Sequence, residues 1–182
     1  MSLLSSNGID YNRLQNLLVN QRWSEADEET YKLMRQASRC KGYYLNSKDV
    51  EVFPCEDLFI LNDLWLENSD LRFGFSVQSK VWRNLLMSET VQSASVADEY
   101  DKYEKLREKF ALQVGWKKKE QETGLGMGVS RPKKELNTQD ITSIPCGYYP
   151  FTILINRTWE CQLVNWNIFF ERLDYCLKAS KF

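Results

Sequence analysis

Short apolar runs alternate with charged ones at helical spacing along almost the whole chain. Tyr11, Leu14, Leu17 and Leu18 share one side of a helix that Asp10 is placed to cap. After "NQRW", Ser24 and Asp27 have the form of a capping box and predict a second helix to about Ser38. Ala26, Leu33, Met34 and Ala37 would face inward, and the short connection predicts an antiparallel hairpin. "CKGYYLNSKDVEVF" reads as a loop ended by Pro54. Pro54, Glu56 and Asp57 suit the start of a third helix with Leu58, Leu61 and Trp65 inside, ending near "ENSD".

Ser76 is placed to cap a fourth helix carrying Val77, Val81 and Leu85 on one face. A fifth runs from about Val96 to Gln113 with Tyr100, Tyr103, Leu106 and Phe110 inside, and Gly115 stops it. Residues 117–147 break the pattern. Three glycines between 124 and 128 oppose a helix, and six basic residues against two acidic ones over 117–134 predict a mobile, cationic, partly apolar loop. Trp159, Leu163, Trp166, Phe170, Leu173 and Leu177 then recur at spacings of 4, 3, 4, 3 and 4, with Thr158 available as cap. This seam is too short for a free coiled coil, so it should pack on the other helices. "FTILI" at 151–155 is strand-like but has no evident partner run. The prediction is an all-α fold: one multi-helix domain over residues 10–182, preceded by a disordered tail or cloning remnant over 1–9.

Composition narrows what such a domain does. The 182 residues carry 24 basic and 25 acidic side chains, so no overall field favours nucleic acid. No run of 18 apolar residues spans a bilayer, and "MSLLSSNGID" lacks the basic and apolar regions of a signal peptide. Cys40, Cys55, Cys146, Cys161 and Cys176 show no zinc spacing, and an odd number reads as free thiols, mostly small buried hydrophobes, in a reducing compartment. Histidine is absent altogether. That removes histidine-based nucleophile activation, imidazole ligation of zinc or haem, and the side chain best suited to proton transfer near neutral pH. Glu56 and Asp57 read as helix-start residues, and Asp63 has no acid–base partner, so they do not make a catalytic carboxylate pair. Trp65 and Trp82 lie on helical faces and read as core.

Four phrases in order carry a resemblance. Leu14, Leu17, Leu18, Trp23, Ala26, Asp27, Glu29 and Thr30 come first, followed by "PCEDLFILNDLW" with Pro54, Cys55, Asp57, Leu58, Asp63, Leu64 and Trp65. "FGFSVQ" (Phe73 to Gln78) with Trp82 is the third, and "FALQVGW" with Phe110, Val114, Gly115 and Trp116 the fourth. Together they resemble the genomes-uncoupled porphyrin-binding family, the accessory proteins of magnesium chelatase in cyanobacteria and plastids. Beyond Trp116 the likeness thins: the family's second tryptophan is missing, and "IPCGYYP" has Tyr148 where histidine is usual. "FFERLDYCL" is similar to the family's closing helix, with Arg172 at its arginine.

The resemblance implies a cupped helical domain that binds protoporphyrin IX or magnesium protoporphyrin IX and stimulates magnesium chelatase without being an enzyme itself. It implies a monomer whose partner is the chelatase large subunit, with no nucleic acid and with peripheral membrane contact through apolar loop residues. The setting would be the cyanobacterial cytoplasm or the plastid stroma. A porphyrin is a flat apolar disc with two carboxylates at one edge, so it needs an apolar floor and cations at the rim. Phe73, Phe75, Val77 and Trp116 are the candidate floor, and Leu125 and Met127 an adaptable lid. Arg131, Lys133, Lys134 or Arg172 are candidates for the propionates, arginine being bidentate. Any magnesium ligand would be water or another oxygen donor. The competing reading is a sensory or interaction module that kept the helices and lost the pigment.

Overall fold

The computed structural model describes residues 3–42, 45–88, 96–117, 140–151 and 166–179, with the backbone alone for 96–101. These residues form seven α-helices: α1 (Asn12–Val19), α2 (Trp23–Ala37), α3 (Ser47–Glu51), α4 (Cys55–Glu67), α5 (Phe75–Ser88), α6 (Val96–Gln113) and α7 (Trp166–Ala179). A 3-10 turn spans Ile141–Ser143, and the sole pairing of extended backbone among the described residues is an isolated bridge between Leu4 and Asp10. The all-α prediction holds. Thr158, Trp159, Leu163, the Tyr100 side chain and residues 118–139 of the expected loop lie outside the described residues.

α1 and α2 pack as the predicted hairpin, and α4 lies against both. α7 contacts α3, α4 and α5, and α5 contacts α6. One hydrophobic cluster joins all of these helices. Leu14, Leu17 and Leu18 of α1, Leu33 and Met34 of α2, Leu58, Leu61 and Trp65 of α4, and Leu106 and Phe110 of α6 are buried as the periodicity predicted.

Helix starts depart from the sequence reading. Tyr11, not Asp10, occupies the cap position of α1, although Asp10 Oδ1 accepts from the Asn12 N–H at 2.8 Å. α2 begins at Trp23, and its cap residue Arg22 makes no side-chain cap. Asp27 is only 2% exposed, and its Oδ1 accepts the Phe151 N–H at 2.7 Å, so it serves a segment 124 residues away rather than a capping box. α5 begins at Phe75, one residue before the expected cap, and the Ser76 N–H donates to Asn62 Oδ1 of α4 at 2.9 Å. Its buried face is Phe75, Gln78, Ser79 and Trp82, while Val77, Val81 and Leu85 are half-buried.

The stretch read as loop before Pro54 contains α3, five residues with a full capping box between Asn46 and Asp49. So short a helix leaves no periodic signal, and its cap supplies what periodicity cannot. Residues 3–9, part of the expected tail over 1–9, lie on α4. Glu56 Oε1 accepts the Ser6 N–H at 2.9 Å, and Asp57 accepts from Asn7 Nδ2 and Tyr11 Oη, each at 2.8 Å. Asp57 is fully buried, and burial, with the Asp57 hydrogen bond second, pushes the Tyr11 hydroxyl well above its usual pKa. The two acidic residues do occupy the first turn of α4, but their carboxylates hold the N-terminal segment.

The free-thiol reading needs correction at two positions. Cys55, at the start of α4, is disulfide-bonded to Cys176 of α7, with Cα atoms 5.1 Å apart. Their separation of 121 residues left no spacing signature in the sequence. Cys40 and Cys146 are not disulfide-bonded, and Cys146 is exposed rather than a buried hydrophobe. Closing so long a loop restricts the unfolded chain, so reduction by dithiothreitol, or Cys55→Ser, is expected to cost about 2–5 kcal/mol. Urea unfolding with and without the dithiol measures it, and reductant should leave the Cys55→Ser variant unchanged.

Candidate functional site

The site is built where α5, the end of α6 and the 140–151 segment meet. Gly115 ends α6 with φ +81°, the conformation glycine adopts freely, and the Trp116 N–H then donates to the Ala111 carbonyl at 2.7 Å. The chain turns there because Pro145 lies across it: a Cβ on Gly115 would stand 2.6 Å from Pro145 Cγ. Gly147, at φ +79°, presents its N–H to the Arg72 carbonyl at 2.8 Å, and the Gly74 N–H donates to the Tyr149 carbonyl at 3.0 Å.

Besides Asp27, three side chains fasten the 140–151 segment as a strap. Gln78 is fully buried, and its Nε2 donates to the carbonyls of Gly147 at 2.9 Å and Pro150 at 2.7 Å. Trp116 Nε1 donates to the Tyr148 carbonyl at 2.7 Å. Arg72 Nη2 donates to the carbonyls of Ile144 at 2.7 Å and Thr142 at 3.1 Å. The loop expected over 117–147 is therefore docked from about residue 140 onward. Ile144, Tyr148 and Tyr149 enter the core.

Two aromatic groups stand behind this strap. Tyr149 stacks on Trp65 with centroids 5.5 Å apart, and Trp65 stacks on Trp23 at 6.2 Å. Phe73 meets Trp23, Trp65 and Tyr149 edge-on at 5.4, 6.3 and 5.4 Å. In the second group, Phe110 is ringed by Trp82, Trp116 and Trp166 at 6.0, 5.3 and 5.0 Å, and Trp116 meets Phe151 at 4.8 Å. Edge-to-face pairs at these distances add about 0.5–1.5 kcal/mol each beyond the area they bury. Burial, the first cause, with Tyr149 and Asp27 behind it, raises the Tyr148 pKa far above the usual phenol value.

The sequence-predicted site residues therefore fall into three sets. Phe73 and Phe75 are fully buried: Phe73 belongs to the first aromatic group, and Phe75 meets Phe169 of α7 edge-on at 5.0 Å. In this structure both rings are wholly buried, Phe73 among three other rings and Phe75 against Phe169. Trp116 is 4% exposed and Val77 half-buried, and both border the strap: Trp116 through its bond to the Tyr148 carbonyl, Val77 because its Cγ1 lies 3.8 Å from where a Gly147 Cβ would be. Arg172 is committed elsewhere: Nε and Nη2 donate to the Phe53 carbonyl at 2.9 and 2.6 Å, and its guanidinium stacks on Tyr175. Leu125, Met127, Arg131, Lys133 and Lys134 lie outside the described residues.

Sequence reasoning missed Gln78 and Arg72 as strap-holders. The "FGFSVQ" phrase contains Gln78, yet a glutamine four residues from Trp82 gives no sign of burial until its carbonyl partners are in place. Among the described residues, no group of histidine, cysteine and carboxylate side chains is arranged to hold a metal. No helix of those residues is long and apolar enough to cross a membrane.

A family model described as GUN4-like matches residues 4–162, and the chain belongs to that family. It is 44% identical over 72 residues to a chloroplastic tetrapyrrole-binding protein of Arabidopsis thaliana, covering 38% of this chain and 27% of that protein. It is 42% identical over 83 residues to a Ycf53-like protein of Synechocystis, covering 44% of this chain and 36% of the relative. The chain thus spans well under half the length of these curated relatives.

The ligand-free structure of Arabidopsis thaliana GUN4 superposes with a TM-score of 0.55 at 25% identity, over 95% of this chain and 94% of that one. GUN4 from Chlamydomonas reinhardtii gives 0.57 at 23% identity, over 95% and 93%, which speaks to the fold.

Gln78→Leu leaves two buried carbonyls without donors and is expected to cost about 2–4 kcal/mol. Gly115→Ala meets both the positive φ and the Pro145 ring and should cost more than about 1 kcal/mol. Urea unfolding of the two variants checks both values, and loss of the strap should also expose Trp116, shifting its fluorescence to the red.

Proposed function

We propose that this chain is a non-enzymatic tetrapyrrole-binding protein that takes protoporphyrin IX or its magnesium complex, stimulates magnesium chelatase through the large subunit, and so regulates chlorophyll synthesis in a plastid or cyanobacterium. The observation that carries this reading is the family match over residues 4–162, combined with a strap-and-aromatic frame built from the family's own phrases. The name of the Arabidopsis relative supports the ligand class.

The proposed contact surface is the outer side of the frame. Val77 and Val81 share the half-exposed face of α5, Pro145 is exposed beside Gly115, and Trp116 leads into the 118–139 segment. Leu125 and Met127 of that segment would cover the disc, and Arg131, Lys133 and Lys134 would meet the propionates. Phe73 and Phe75 would act indirectly, by fixing Tyr149 and the start of α5. Burying several hundred Å² of porphyrin at roughly 25 cal/mol per Å² offers on the order of 5–10 kcal/mol before association costs, enough without a metal bond. The absence of histidine fits a carrier that binds through its apolar face and releases its cargo.

Titration with protoporphyrin should quench tryptophan fluorescence saturably at micromolar ligand. Val77→Glu, on the half-exposed face, should weaken binding by roughly tenfold with helix content unchanged. Absence of saturable quenching in the wild-type protein would count decisively against the reading.

A further inference from the structure

The outer face of α4 has the wrong chemistry for a helix whose other side is already in the core. Leu58, Leu61 and Trp65 point inward and are fully buried, yet Phe59 and Ile60 are also apolar and only half-buried. An α-helix apolar on both sides is normally covered on both. Along this second side runs a groove of about 470 Å³, lined by Leu3, Phe59, Ile60 and Leu64 and edged by Glu56, Asp63 and Glu67.

The carboxylates say what kind of cover fits. Glu56, Asp63 and Glu67 are spaced seven and four residues apart, so all three lie along one face, spread over roughly 16 Å of helix. No lysine or arginine is among the residues lining the groove. Glu56 is occupied in holding Ser6, whereas among the described residues Asp63 receives the neighbouring Asn62 amide alone, at 3.3 Å. An anionic membrane surface would be repelled by such a rim, and a second copy would bring the same negative charges against it. A helix with apolar residues on one face and lysine or arginine beside them matches both floor and edge, and three turns of it match the length.

We propose that the groove between α4 and the N-terminal segment is a docking site for a cationic amphipathic helix of a partner protein. It shares no residue with the strap frame around Trp116 and stands independently of tetrapyrrole binding. The probe is a fluorescein-labelled 14-residue peptide of leucine and lysine at amphipathic spacing, titrated with the protein at moderate salt and read by fluorescence anisotropy. The wild-type protein should bind it saturably with one-to-one stoichiometry. Asp63→Lys/Glu67→Lys should weaken binding by at least about tenfold, and so should Ile60→Glu. The exposed pair Glu51→Lys/Glu171→Lys, away from the groove, should leave it unchanged, with circular dichroism showing intact helices in every variant. Equal weakening by the control pair would reduce the effect to net charge and overturn the proposal. So would failure of the wild-type protein to saturate, or a concentration-dependent dimer abolished by Ile60→Glu.

Discussion

The buried amide of Gln78 is the constraint on which the rest of the site depends. A glutamine in a fully apolar surrounding would be a liability if its N–H groups had no acceptors. Here both find carbonyls, Gly147 and Pro150, on a segment about 70 residues further along the chain. Those carbonyls belong to backbone that forms neither helix nor sheet, so they would be equally costly to bury without the amide. The two N–H groups and the two carbonyls satisfy each other, while Gln78 Oε1 stays buried without a partner among the described residues, and the result is a strap of irregular chain held against α5.

Everything around the strap reinforces that exchange. Trp116 supplies an indole N–H to Tyr148, Arg72 clasps Ile144 and Thr142, and Asp27 reaches from α2 to the Phe151 N–H. The aromatic side chains then fill the volume that the strap encloses. Tyr149 stacks on Trp65 in the first ring group, and Phe151, two residues further along the same strap, meets Trp116 in the second. The disulfide from Cys55 to Cys176 acts at a different place, tying α4 to α7, whose Trp166 and Phe170 form the back of the second group.

Helical periodicity carried the fold well where one face was apolar. Leu14, Leu17 and Leu18, or Leu58, Leu61 and Trp65, left little choice about which way their helices turn. Helix starts were less legible, because Asp27 resembles a capping residue locally and is recruited by Phe151 over a long distance. Val77 and Val81 look like the inner face of α5 by hydrophobicity, yet Gln78 and Ser79 occupy it, since polar partners on the strap and on α7 wait there. Phe73 and Phe75 looked like a ligand floor because they flank a glycine outside a helix. In the fold, the Gly74 N–H donates to the Tyr149 carbonyl, Phe73 meets the Tyr149 ring, and both phenylalanines are wholly buried.

In the proposed reading, the inner side of this frame is packed core and the outer side, from Val77 to Pro145, is where the ligand would lie. The most direct measurement is hydrogen–deuterium exchange with and without protoporphyrin. The account predicts slower exchange at the amides of residues 114–117 and 144–150 when ligand is present, with α1 and α2 unchanged. Protection confined to helices remote from the strap, with those amides unaffected by saturating ligand, would contradict it.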